Sequence, residues 1–245
     1  MTLELHGIEG LPEVGSGDDL AALIVARAGS IESGDVLVVA QKVVSKAEGR
    51  LRELAAVTPS DAAMRLATGL RADPRLVQVV LDESVRVVRS DHVLIVETRH
   101  GYVCANAGVD RSNVPGDDTV SLLPLDCDAS ALRLRDRIAQ LTGVRPAVIV
   151  SDTFGRPWRM GLVNVALGVA GLPATLDYRG RPDDFGRPLV ATQIAIADEV
   201  AAAAELIMGK TRRVPAVIVR GLAFAGAGVG SGRDLVRPAE MDLFR

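Results

Sequence analysis

The sequence specifies a mixed α/β (α+β) fold. Short Val- and Ile-rich runs recur between turn residues, helical patterns separate them, and aromatic residues make up only 3% of the chain, which suits a core of thin aliphatic layers. Four runs read as buried strands, each bounded by Gly, Pro or Asp: Asp35–Ala40 (DVLVVA), His92–Val96 (HVLIV), Ala147–Val150 (AVIV) and Ala216–Val219 (AVIV). Three stretches read as helices. Leu20–Ala28 follows the turn-and-cap signal Gly17-Asp18-Asp19, Ala129–Leu141 follows Asp128, and the Ala-rich Ile194–Met208 stops at Gly209. Asp177–Pro188 (DYRGRPDDFGRP) has the composition of a surface loop or a mobile lid.

The 245 residues suffice for one large domain or for two small interlocked α/β subdomains. A net charge of -3 argues against a general nucleic-acid binder. No apolar run approaches the roughly 18 residues of a membrane span, and the first ten residues carry charges and no signal-peptide pattern, so the expected location is the cytoplasm. Cys104 and Cys127 lack metal-type CxxC spacing and read as buried thiols.

Three apparent motifs are set aside. Gly209-Lys210-Thr211 resembles the end of a phosphate-binding loop, but the required leading glycine is Ala204, inside a helical pattern. The run Gly226–Gly232 lacks GxGxxG spacing and reads as a flexible turn, although its backbone N–H groups could face a phosphate. His6, His92 and His100 are scattered and form neither a catalytic triad nor a metal cluster.

Four polar segments interrupt apolar elements with residues that are costly to bury without partners. Gly10–Val14 with Gly15–Asp19 reads first as a turn and helix cap. Gln41–Arg50 follows the strand at Asp35–Ala40; its two lysines and arginine lie beyond a strand's carboxyl end, where α/β folds commonly bind ligands, and suit phosphates, with a solvated basic loop as the plainer reading. Ala105–Asn113 and Ser151–Arg159 each place an aspartate, Asp110 or Asp152, at or just past an apolar segment. Such carboxylates are hard oxygen ligands for magnesium or manganese and could bridge a metal to nucleotide phosphates, although a lone aspartate after a strand is more often a cap.

The phrases GLPEV, GDD, KVVSKAEGR, NAGVDRSN, SDTFGRPWRMG, ADEVAAAAEL, VRG and RDLVRP run in order along nearly the whole chain. In this the sequence resembles coenzyme F-420:L-glutamate ligases, also called F-420-0:γ-glutamyl ligases, over the ligase portion alone. The resemblance implies a ligase fold with mixed sheets and flanking helices in an intertwined homodimer. It implies GTP as substrate, Mg2+ or Mn2+ as metal with K+ alongside, and coenzyme F-420-0 and L-glutamate as the other small-molecule partners. Leu11, Pro12, Glu13 and Val14 would line the nucleotide site, with Gln41, Lys46 and Asn113 contacting it. Asp110 and Asp152 would be catalytic and hold the first metal, and Thr153 the second. Gln41 stands where relatives often have serine, and Lys210 where they offer an oxygen to the second metal. An ammonium cannot ligate a cation.

The implied reaction activates the coenzyme's free carboxylate as an acyl phosphate, which the glutamate amine attacks; further γ-linked glutamates can follow. Arg156, Arg159 and Lys42 are candidates for the coenzyme's phosphate or for carboxylates, while Trp158 reads better as a core-edge residue than as a stacking platform. The rival readings are a related nucleotide-dependent amino-acid ligase with a different acceptor, and a non-catalytic deazaflavin-binding protein.

Overall fold

In a computed structural model, which describes residues 2–223 and 228–242, the chain begins with β1 (Glu4–Gly7), α1 (Leu20–Val25), β2 (Val36–Ala40), α2 (Gln41–Ala47) and β3 (Leu51–Glu53). It continues through α3 (Asp61–Leu70), α4 (Pro74–Asp82), β4 (Ser84–Arg89), β5 (Ile95–Thr98), β6 (Val103–Ala105) and β7 (Thr119–Ser121). After α5 (Cys127–Thr142) come the long strands β8 (Ala147–Arg156) and β9 (Arg159–Ala170), the short β10 (Leu176–Asp177) and β11 (Gln193–Ile194), α6 (Ile196–Met208) and β12 (Ala216–Arg220).

A five-stranded sheet of order β1-β12-β2-β8-β9 forms the centre. Strands β2 and β8 pair in parallel and the other neighbours are antiparallel. Continuous apolar runs make β2, β8 and β12 suited to burial on both faces. On one face Leu37, Val39, Val148 and Val150 pack against Leu20, Ile24 and Ile138 of α1 and α5. On the other, Val36, Val38, Ile149 and Val217 meet Ala197, Ala201 and Ala204, whose small side chains let α6 lie close to the sheet. Each fully buried Val, Leu or Ile contributes about 1.5–3 kcal/mol. A second core joins α3 and α4 to the β4–β5–β6 sheet through Val77, Val80, Leu94 and Val96. Arg50 links it to the chain's centre by donating to Glu83 at 2.8 Å and to the Leu123 carbonyl at 2.9 Å.

The mixed α/β class stands, and several elements shift. The strand read at His92–Val96 begins only at Ile95. Helix α5 is capped by Asp126, not Asp128; its first turn holds Asp128, whose carboxylate accepts from Val169, Gly232 and Ser231. The Ala-rich helix starts at Ile196 because Gln193–Ile194 pair with β10, and α1 ends at Val25. Gln41–Ala47 is a helix rather than a loop, and the polar segment from Ser151 continues β8 as far as Arg156. It turns back through β9 in a hairpin whose tip carries Trp158, which is 79% exposed and not at the edge of the core. Residues 179–188 are exposed, as a surface loop requires. Both cysteines are free and buried.

Of the glycine run, Gly226 and Ala227 lie outside the described residues. The remainder is a close-packed strap: a Cβ on Gly232 would stand 2.1 Å from the Leu167 carbonyl oxygen, and one on Gly230 2.3 Å from the Ala174 nitrogen. Ser231 and Asp234 then cap the turn at Gly232–Leu235 reciprocally.

Candidate active site

The parallel pair β2 and β8 ends with Ala40 beside Ser151, so the chain leaves β2 into α2 next to the residues that follow Ser151 in β8. Ligands in α/β sheets commonly bind at such carboxyl ends. Lys42 and Lys46 lie four residues apart on α2 and therefore share a helix face. Lys42 Nζ donates to Asp110 Oδ2 at 2.5 Å, to the Ser112 carbonyl at 2.8 Å and to the Ser112 hydroxyl at 2.6 Å. The Lys46 ammonium is buried and pairs with the exposed Glu13 carboxylate.

Asp110 is held in place by its backbone. It exchanges N–H and carbonyl bonds with Ser121 of β7, and the chain reaches it through Asn106, Ala107 and Gly108, three successive residues at positive φ. Burial raises the Asp110 carboxyl, but hydrogen bonds from Lys42 and Ser112 outweigh it and hold the carboxyl below its ordinary range. Asp152 behaves oppositely. Burial pushes it up to about 6, the Thr153 N–H and the charges of Lys42 and Lys210 only partly offset this, and the Asp110 charge adds to the rise. The two carboxylates therefore share one electrostatic neighbourhood.

Strand alternation separates neighbours on β8. Asp152 faces Val165 across the hairpin, whereas Thr153 pairs with Asn164 and points to the other face. There the Thr153 hydroxyl donates to Asn164 Oδ1 at 2.7 Å and meets the Lys210 ammonium.

These contacts place most of the sequence-predicted residues together. Glu13 reaches Lys46, Lys42 reaches Asp110 and the loop leading to the exposed Asn113, and Asp152 lies within range of both Lys42 and Lys210. Leu11 packs on the core beside buried Val14, with Pro12 exposed between them. Gln41 is buried and donates to Ser45 at 2.6 Å and the Leu122 carbonyl at 3.1 Å, so its amide nitrogen is committed internally. Arg50, read with the basic segment, turns away to Glu83, and Arg156 donates to the Met160 carbonyl in the hairpin. Asn164 and Ser112 were missed as individuals. A lone polar residue inside the apolar run LVNVALGVA was the available signal for Asn164.

Among the described residues no group of three or more His, Cys, Asp or Glu side chains is arranged to hold a metal. The two aspartates nevertheless fit a hard divalent cation. The Asp152 carboxylate is desolvated, receives one backbone hydrogen bond and sits beside a second carboxylate, a combination that a cation relieves.

The family model for "F420-0:Gamma-glutamyl ligase" matches residues 9–221. The chain belongs to this family. Its similarity to curated members runs end to end. It is 46% identical to "Coenzyme F420:L-glutamate ligase" of Methanothermobacter thermautotrophicus, covering 100% of both chains. It is 46% identical to the protein of the same name from Archaeoglobus fulgidus, covering 100% of this chain and 97% of the relative. The corresponding protein of Methanocaldococcus jannaschii is 43% identical over 99% of this chain and 97% of its own.

Proposed function

We propose that the chain joins L-glutamate to coenzyme F-420-0 through an amide bond, consuming GTP and forming GDP, as a cytoplasmic homodimer. The observation that carries the reading is the convergence of Lys42, Lys46, Asp110 and Asp152 at the carboxyl end of the parallel strand pair. Two positive groups suit nucleotide phosphates and two desolvated carboxylates suit Mg2+ or Mn2+. K+ would be an additional monovalent cation at the phosphates. No helix of the described residues is long and apolar enough to cross a membrane.

The chemistry follows from the poor leaving group of a free acid. A carboxylate oxygen of the acceptor attacks the γ-phosphorus of GTP, the bond to the β-phosphate oxygen breaks and GDP departs. The glutamate amine then attacks the acyl carbon, phosphate leaves with its electron pair and the amine loses a proton. The divalent ion supplies charge neutralisation at the moving phosphoryl group. Asp110 and Asp152 would hold it, with Thr153 offering a hydroxyl on the far side of β8. Lys46, relieved of Glu13, would meet a phosphate, and Leu11–Val14 with Gln41 and Asn113 would border the nucleotide.

The reaction is tested by product mass after incubation with GTP, Mn2+, L-glutamate and coenzyme F-420-0. One added glutamyl mass with stoichiometric GDP is expected, and its absence overturns the proposal. Asp110→Asn and Asp152→Asn should each lower turnover by about 100-fold or more, since even the residues that merely orient metal ligands typically cost about 10–100-fold when changed, while circular dichroism stays unchanged.

A further inference from the structure

A cavity of about 300 Å³ lies beside, and distinct from, the charged cluster. Its walls include Tyr102, Phe154, Val165 and Val236, with Asp198, Arg237 and Asp242 as charged groups. The volume is at the small end of the roughly 300–1,000 Å³ typical of ligand pockets, which pair an apolar lining with a few placed polar atoms.

Its position follows from the β8–β9 register. Val165 is the direct partner of Asp152, and Phe154 lies two residues beyond Asp152 on the same strand face. Cys104 of β6 confirms the adjacency: it packs in one cluster with Tyr102 and Phe154, and the Asp152 charge helps to raise its thiol. Two residues of strand span about 7 Å, so the cavity begins within one short side chain's reach of Asp152.

The lining selects for a flat, fused aromatic ring. The Phe154 and Tyr102 rings meet edge to face, 6.4 Å apart at 78°, and Tyr102 is itself buried and stacked on His100, so the half-buried Phe154 is the ring with surface left for a ligand. Asp198, in the first turn of α6, accepts the Ala166 N–H at 2.8 Å through one oxygen; its other oxygen has no partner among the described residues. Burial raises the Asp198 carboxyl, and the Ala166 hydrogen bond only partly offsets it. Among the described residues Arg237 makes only a 3.5 Å bond to the Met241 carbonyl, which keeps donors to spare. A deazaflavin carries an imide N–H between two carbonyls on one edge, complementary to one acceptor and one cationic donor.

We propose that this cavity holds the fused-ring end of the deazaflavin acceptor, with Phe154 against the ring and Asp198 and Arg237 at its imide edge. The phosphate and acid arm then runs along β8 toward Asp152. The inference rests on the ligase reading for the identity of the ring, but its location is tested separately.

The probe is the deazaflavin riboside, which has the ring and ribityl chain but neither phosphate nor acid arm, titrated by its fluorescence without GTP or metal. Wild-type protein should bind it saturably. Val236→Trp, which fills the cavity from the strap side, and Asp198→Asn, which keeps an acceptor for Ala166 but loses the anionic one, should each weaken binding at least tenfold. Both should leave GTP affinity unchanged, and in turnover both should raise the acceptor KM far more than they lower kcat. Riboside binding lost in the variants, with no glutamate added by the wild type, would sustain the pocket and overturn the ligase reading. Glutamate addition by both variants with an unaltered acceptor KM would overturn the pocket and leave the ligase reading intact. Absence of saturable riboside binding to the wild type also overturns the pocket. If Val236→Trp does not fold, as melting would reveal, Asp198→Asn decides.

Discussion

The Lys42 ammonium sits against the Asp110 carboxylate at 2.5 Å, with both Ser112 oxygens completing its hydrogen bonds. A divalent ion bound by Asp110 must therefore displace a positive charge already in place. Lys42→Met should tighten Mn2+ binding in the absence of nucleotide. A unit charge about 4 Å away is worth about 1 kcal/mol even at the dielectric of water, so the gain should be at least about fivefold. Titration followed by the electron paramagnetic resonance of free Mn2+ reads it directly. An affinity equal to that of the wild type would mean that Lys42 and the ion do not compete.

Asp152 gives the metal-free protein a pH-dependent weakness. Its folded-state carboxyl is raised from 3.8 to about 6. A carboxyl raised on folding favours the protonated folded state, so its contribution is fullest below about pH 4 and is lost as pH climbs through 6. Asp152→Asn cannot ionise. In chelator, its melting temperature relative to wild type should rise between pH 4.5 and pH 7.5, even as turnover disappears. Parallel pH profiles for the two proteins would contradict the desolvated carboxylate. A variant more stable and less active is the usual mark of a site strained for function.

The sheet was legible because β2, β8 and β12 each contain an unbroken apolar run (VLVVA, AVIV and AVIV), the pattern of strands buried on both faces. Strand β9 was not, because Arg159, Gly161, Asn164 and Gly168 break its apolar run and the hairpin turns through Pro157 and Trp158 rather than Asn-Gly. Trp158 itself takes φ 57, a conformation that nothing in its side chain announces. Helix α2 was hidden for another reason. Adjacent Val43 and Val44 look extended, and its buried Gln41 and Ser45 are satisfied by each other and by Leu122, a partner 81 residues away for Gln41. Asp110 and Asp152 were legible as carboxylates at the ends of apolar segments. Their opposite protonation tendencies were not, since these come from Lys42 on one side and from burial on the other.

Close backbone approach should make Gly168 intolerant of any side chain. A Cβ there would stand 2.0 Å from the Cys127 carbonyl oxygen and 2.9 Å from the Asp128 nitrogen, where α5 docks on β9. Both obstacles are backbone, so neither can rotate away. Gly168→Ala should therefore cost more than the 1–3 kcal/mol typical of overpacking, measured as a loss of urea midpoint or as insoluble expression. Gly69, in the last turn of α3 with nothing within 4 Å of its Cβ position, is the matched control. Gly69→Ala should not destabilise, and should gain at most about 1 kcal/mol, the value for a glycine in a helix interior. Equal effects at the two positions would refute the packing account.

Strand β4 carries a further requirement. Val85, Val87 and Val88 are all exposed, and among the described residues the strand pairs only with β5, so that its outer edge has no partner there. Such a strand invites pairing or cover. At the hairpin tip Trp158, Met160 and Leu162 form a second exposed apolar group. Monomers rarely leave large apolar patches in water, and a stable interface of about 1,600 Å² in total would be expected to cover surfaces of this kind. Light scattering should therefore give twice the 25.8 kDa chain mass. Val87→Glu or Met160→Glu, each placing a charge in one of the two patches, should shift the mass toward the single chain where that patch is the interface. The melting temperature of the unmixed wild type should also rise with protein concentration, because association stabilises by mass action. A wild-type mass of one chain at micromolar concentration, with full turnover, would leave β4 as an open edge and rule out the homodimer.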